Sequence, residues 1–182
     1  MIINGASGTL GVGATIFALA MGISKIYAVA RGRPLLERLK KLAPTRIEIF
    51  SNSDGKVADW VKAQTCGTGS DIMVDCLGAV ADVNAMKDAM MGVKRGGHIV
   101  NIGGTGGDMP FNTKWWMDNS MTLIGSAWLT TAEGMEIAEM VRTGAIDLSV
   151  LEARTYPLAS INEAINGVAS GDGGFTNHVL EP

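Results

Sequence analysis

Cysteine is scarce in this chain of 182 residues: Cys66 and Cys76 are the two, and they form no C-x-x-C pair. That excludes a disulfide framework and points to a reducing, cytoplasmic compartment. Histidine is as rare, with only His98 and His178. Together with the cysteines they show no ligand-like spacing, so no metal site is expected. No apolar run approaches the roughly 18 residues of a membrane span, and no basic leader precedes the first apolar residues, so neither a span nor a secretory leader is expected. Positive charge is not in excess: Lys and Arg number 15 against 18 Asp and Glu, for a net charge of −3. A nucleic-acid partner would want a basic surface. Internal repeats and low-complexity linkers are absent too. One absence is local: no carboxylate occurs between Met1 and Arg33.

What is present is glycine and apolar residues. Hydrophobic residues make up 47% of the chain and charged ones 18%, the balance of one well-packed soluble domain. The 24 glycines cluster at predicted strand ends. Met1 to Thr15 reads MIINGASGTLGVGAT: an apolar strand, then Gly5, Gly8 and Gly11, then a helix of small residues. Such a turn presents backbone N–H groups and a helix N-terminus to a pyrophosphate. The early glycines allow the turn and the approach of phosphate, and the last lets helix pack on strand.

The remaining pattern alternates strand and helix. Helices are predicted over about 10–21, from Pro34 onward, and over 57–65, 79–91, 131–143 and 160–169. Thr130 or Thr131 caps one of them and Ser160 with Glu163 forms a capping box on another. Strands are predicted over 1–3, 25–30, 47–50, 72–76, 97–102 and 121–124, with a short last one at 178–180. Strands separated by single helices imply a parallel sheet of about six strands, doubly wound, with helices on both faces and the ligand at the carboxyl ends of the strands.

Nucleotide preference is read at the end of the second strand. A ribose 2′-hydroxyl is usually held there by Asp or Glu about 20 residues past the glycine loop, whereas Arg accommodates a 2′-phosphate. That position is Arg31, in Ala30-Arg31-Gly32-Arg33. Two guanidiniums, Arg31 and Arg33, would grip the phosphate, which predicts NADP(H) over NAD. The alternative is that both are solvated loop charges.

Five segments in order resemble the cofactor-binding half of the medium-chain dehydrogenase/reductase superfamily, the zinc-type alcohol dehydrogenases and quinone oxidoreductases. They are INGASGTLGVGA, GTGSDIMVDCLGA, KRGGHIVNIGG, TLIGSAWLT, and TGAIDL with YPLASINEAINGVASGDGG. Aligned from its end, the loop places Ala6, Gly8 and Gly11 at the family's glycine positions, Ala6 replacing the first, with Ser7, Thr9 and Leu10 between them. The resemblance implies further cofactor contacts. Cys76, Leu77 and Gly78 would line the adenosine side, Ile102, Gly103 and Gly104 the nicotinamide-side ribose, and Gly125 and Ser126 the carboxamide. It also implies a homodimer with a continuous sheet through the edge strand near 121–128, where Trp128 fits an interface.

Members of that superfamily are about twice as long, and an N-terminal domain carries their zinc ligands and proton relay. None of those ligands, nor a four-cysteine lobe, is found here, so no catalytic residue and no zinc are assigned to this chain. Residues 154–182 resemble the segment that in relatives returns toward that domain; at Asn177 the Lys or Arg often found in relatives is missing. Asp75, inside a strand, is read as structural or near the site, not as a general base, because an unpaired buried carboxylate is costly.

The implied function is an NADP(H)-binding domain of an oxidoreductase, positioning the nicotinamide for hydride transfer with an alcohol, carbonyl or enone. The alternative is a non-catalytic NADP(H)-binding and dimerisation module. A short-chain reductase would need Tyr with Lys four residues on. Tyr27 is followed at that spacing by Arg31 and Tyr156 by Ser160, so that reading fails.

Overall fold

The computed structural model describes residues 1–170 and 173–182. Gly171 and Asp172, part of the closing motif read from the sequence, lie outside the described residues. Two compact units emerge, Met1–Leu129 and Thr130–Pro182.

The first unit alternates β1 (Ile2–Asn4), α1 (Thr9–Ala20), β2 (Ile26–Ala30), α2 (Arg33–Leu42), β3 (Ile47–Ser51), α3 (Val57–Gln64), β4 (Ser70–Asp75), α4 (Val83–Met90), β5 (Val93–Asn101), α5 (Thr113–Asp118) and β6 (Thr122–Gly125). The six strands form one parallel sheet in the order β3-β2-β1-β4-β5-β6. This is the doubly wound order, which reverses direction between β1 and β4 and leaves a crevice beyond their carboxyl ends. The central strands are apolar because both sheet faces are covered: Ile2, Ile3, Ile26, Val29, Met73 and Ile99 are fully buried. Helix α2 starts with Pro34 in its first turn and turns Leu36 and Leu39 inward. The first N–H of α3 has no local side-chain cap; Val57 N–H instead donates to Asp88 Oδ2 of α4 at 2.7 Å.

In this unit three details differ from the sequence reading, beyond shifts of one or two residues at element ends. Helix α4 begins at Val83, not residue 79, because Asp82 caps it, accepting from Asn84 N–H. Strand β5 begins at Val93, ahead of Gly96 and Gly97, which mask its strand character. Helix α5 is an added element, capped by Asn112, which accepts from Trp115 N–H.

In the second unit, α6 (Thr131–Arg142) carries a complete capping box between Thr130 and Glu133. Strand β7 (Glu152–Pro157), a 3-10 turn at Leu158–Ser160, α7 (Ile161–Ser170) and β8 (Thr176–Glu181) follow. Strands β7 and β8 pair in parallel. Tyr156 Oη and His178 Nδ1 are 3.0 Å apart, with their rings stacked.

Candidate functional site

The site grows from the turn after β1. Gly5 adopts φ of +81°, the left-handed region that glycine enters freely, and both Gly5 N–H and Ala6 N–H donate to the Val29 carbonyl at 2.9 Å. Gly8 N–H donates back to the Gly5 carbonyl at 3.1 Å. A Cβ on Gly11 would lie 2.2 Å from the Gly5 oxygen, so α1 packs directly on the turn. Gly8, by contrast, is exposed, and a Cβ there would meet nothing nearer than 3.6 Å. Gly8 N-caps helix α1 without a side-chain hydrogen bond, and no acid stands in the first turn. Its leading N–H groups are therefore left for a ligand, and its dipole favours an anion.

Next to this turn lies a cleft of about 440 Å³, within the roughly 300–1,000 Å³ of small-molecule sites. Ser7, Gly8, Arg31, Cys76, Leu77 and Gly78 line it, which brings six of the sequence-predicted residues together. Thr9, Leu10 and Gly11 form the first turn of α1 beside it, and Ala6 is buried in the turn. Ile102, Gly103 and Gly104 do not line this cleft but adjoin it through the backbone. Ile102 and Gly103 N–H donate to the Asp75 carbonyl, Gly104 N–H donates to that of Leu77, and a Cβ on Gly103 would lie 2.4 Å from the Leu77 oxygen. Gly125 and Ser126 stand at the exit of β6, Ser126 N–H donating to the Asn101 carbonyl at 3.0 Å.

The two arginines separate. Arg31 borders the cleft, its own carbonyl accepting from Ser51 Oγ at 2.9 Å, and among the described residues its guanidinium has no ion pair. Arg33 is paired with Asp54 of the segment after β3. Only Arg31 stands at the cleft.

Asn4, Asn52 and Asp82 also line the cleft and were not read as site residues. An Asp directly ahead of a helical run could have pointed to Asp82; Asn52, just past β3, is brought in by sheet order alone. Asp75 lies behind the cleft wall, fully buried, with Oδ1 accepting from Asn4 Nδ2 at 2.7 Å and Oδ2 without a hydrogen-bond partner among the described residues. Burial raises its carboxyl above the ordinary aspartate range, against the hydrogen bonds from Asn4 and the Leu77 backbone. Burial, reinforced by Asp75, pushes the Cys76 thiol up to about 12.

A glycine turn of this build, at the switch point of a doubly wound sheet, is the form that dinucleotide-binding folds use, and the sequence profile of the zinc-binding dehydrogenases matches residues 9–145. The chain belongs to that family. The matched region is the cofactor-binding domain of zinc-type alcohol dehydrogenases, which takes a nicotinamide dinucleotide. Among curated proteins none matches the sequence. Solved structures share the fold. Alcohol dehydrogenase TADH from Thermus sp. ATN1 aligns with a TM-score of 0.85 and 18% identity, over 99% of this chain and 50% of its own. Benzyl alcohol dehydrogenase from Acinetobacter calcoaceticus aligns at 0.83 and 19%, over 99% and 49%. An NAD-dependent alcohol dehydrogenase aligns at 0.78 and 22%, over 100% and 50%. This zinc-binding dehydrogenase chain thus spans about half the length of the structures it matches. A zinc ion does not fit the residues present: among the described residues no three His, Cys, Asp or Glu side chains converge. No described helix is long and apolar enough to cross a membrane.

Proposed function

We propose that the cleft binds NADP(H) and orients it for hydride transfer to or from an alcohol, carbonyl or enone, in an oxidoreductase of the alcohol dehydrogenase type. The observation that carries this reading is Arg31: a guanidinium without an ion pair among the described residues, at the exit of β2, where an NAD site would place a carboxylate. The Gly5–Gly8 turn and the first turn of α1 would take the pyrophosphate. Cys76–Gly78 would take the adenosine side, and Ile102–Gly104 with Gly125 and Ser126 the nicotinamide side. When bound, the nicotinamide supplies the hydride chemistry, and the chain supplies binding and orientation.

Titration of the purified chain with NADPH and NADH tests this. Tighter binding of NADPH is expected, and Arg31→Glu should weaken NADPH by about tenfold or more, the scale of a charge-assisted hydrogen bond, while sparing NADH. Equal affinity for both would remove the assignment of Arg31 to a 2′-phosphate and leave a dinucleotide site without preference. Binding of neither would remove the dinucleotide reading.

A second reading, a module that binds the cofactor and dimerises without catalysing on its own, is favoured by the groups at the cleft. Asp75 is buried behind its wall, Cys76 is held as a neutral thiol and Asp82 is engaged as a helix cap. None offers a free general acid or base. The dimer would form through β6, the edge of the sheet. Leu123 and Ile124 are exposed there, and nearby Trp128 is 96% exposed with left-handed backbone. Ile124→Lys should convert a sedimenting dimer to a monomer; a wild-type monomer would exclude the dimer. The two unpaired cysteines suit the reducing interior of the cytoplasm.

A further inference from the structure

We propose that the buried Asn4–Asp75 pair is the positioning element of the cleft, locking the exits of β1, β4 and β5 together so that their backbone groups face a single ligand. The inference rests on the cleft being the dinucleotide site.

Asn4 and Asp75 are the last residues of β1 and β4 and stand opposite each other in register. The same row continues to Asn101, the last residue of β5. One row below, Ile3, Val74 and Val100 are apolar, and two rows below come Ile2, Met73 and Ile99. A polar row therefore crosses an apolar sheet only where its three central strands end. Asn4 Nδ2 donates to Asp75 Oδ1 at 2.7 Å, and both residues are at most 1% exposed. Asn101 Oδ1 accepts from Gly103 N–H at 3.1 Å.

Main-chain bonds tie this row to the cleft wall. Asn4 carbonyl accepts from Cys76 N–H at 2.8 Å, and Asp75 carbonyl accepts from Ile102 and Gly103 N–H. A displacement of Asp75 would carry Cys76 and Gly103 with it, and a displacement of Asn4 would carry the Gly5 turn. A pair of apolar side chains would fill the same space without burying a carboxylate, and such replacements are often neutral or better for stability. Here the polar pair is kept, with Asp75 Oδ2 left without a hydrogen-bond partner among the described residues, one residue from the cleft. Asp75 does not line the cleft, so it acts through Cys76 and Gly103 as a positioning residue. A single buried polar group that fixes register is the best-attested use of such a pair.

The test is a cycle of near-isosteric variants, Asn4→Asp, Asp75→Asn and the exchange N4D/D75N, each read by NADPH dissociation constant and by thermal midpoint. Asn4→Asp replaces the amide donor by a second carboxyl group, so that the pair must either take up a proton or separate, and it should weaken NADPH tenfold or more, with the loss growing as pH rises. Asp75→Asn keeps an acceptor for Asn4 and should lose less NADPH affinity than Asn4→Asp does. The exchange restores one donor and one acceptor with the direction reversed, and should recover most of the affinity lost in Asn4→Asp. A purely structural role would move the thermal midpoint and leave the affinity of the folded variants unchanged. If Asn4→Asp does not fold, Asn4→Ser takes its place, with the same loss expected. Wild-type affinity in a folded Asn4→Asp, or no recovery in the exchange, overturns the proposal. Wild type binding neither NADPH nor NADH overturns the dinucleotide reading itself, and the proposal with it.

Discussion

Gly11 in α1 and Gly5 in the preceding turn are in such close contact that a Cβ on Gly11 would stand 2.2 Å from the Gly5 carbonyl oxygen and 2.5 Å from the Ala6 Cα. Those are backbone atoms, and neither can swing away. Gly8, three residues earlier, has no such neighbour. The two glycines therefore fail differently when substituted. Gly11→Ala overpacks the turn and should cost about 1–3 kcal/mol, which lowers the thermal midpoint by several degrees. Gly8→Ala should keep the wild-type midpoint and lose NADPH affinity, because its methyl enters the space left for phosphate. Wild-type affinity in Gly8→Ala would show that the ligand does not approach there.

A second contact predicts stability without touching the site. Asp88 of α4 accepts from the first N–H of α3, at Val57, 31 positions away in sequence. It does across two helices what an N-cap does within one. Asp88→Ala should cost ~1–2 kcal/mol, as loss of a cap does, with no change in cofactor affinity. Chemical denaturation of the two proteins measures it; an unchanged midpoint would mean that water replaces the carboxylate.

How much of this was legible in the sequence depended on distance along the chain. The strand, glycine turn and helix at the start of the chain, where the informative residues lie within Gly5 to Gly11, are legible in the sequence, and so is the alternation that builds the sheet. Features decided by neighbours far along the chain were not. Arg33 and Arg31 look alike two residues apart, yet Asp54, which follows β3, takes Arg33 and leaves Arg31 at the cleft. Asn52 reaches the cleft only because β3 lies beside β2. Helix α5, six residues with Trp115, Trp116 and Met117 in succession, has no helical period to read. Strand β7 is exposed at five of its six residues, so it shows no alternation of inside and outside.

The two thiols should react very differently. Cys66 is exposed, whereas Cys76 is buried with its thiol pushed up to about 12. At pH 8 only roughly one Cys76 in ten thousand is a thiolate, and the thiolate is the reactive form. An aromatic disulfide reagent should therefore label one thiol per native chain, at Cys66, and two after denaturation in urea. Rapid native labelling of both would show that the wall behind the cleft opens in solution.

The buried carboxylate of Asp75 makes a prediction about pH whose sign follows from its burial. Burial raises its folded-state pKa above the ordinary aspartate range, so the folded chain holds that proton to higher pH than the unfolded chain does. The stability associated with the proton is fully present below the unfolded pKa. It declines as pH rises from about 4 through the folded value, by at most about 1.4 kcal/mol per pH unit, and is constant above it. Asp75→Asn cannot titrate at this position, and the other carboxylates are common to both proteins. The difference in unfolding free energy, wild type minus Asp75→Asn, should therefore fall as pH rises from 4 and then level off. Urea denaturation of both proteins at a series of pH values measures it. A difference that rises with pH would mean that Asp75 is stabilised as the charged carboxylate in the folded chain, and that the hydrogen bonds from Asn4 and the Leu77 backbone outweigh its burial.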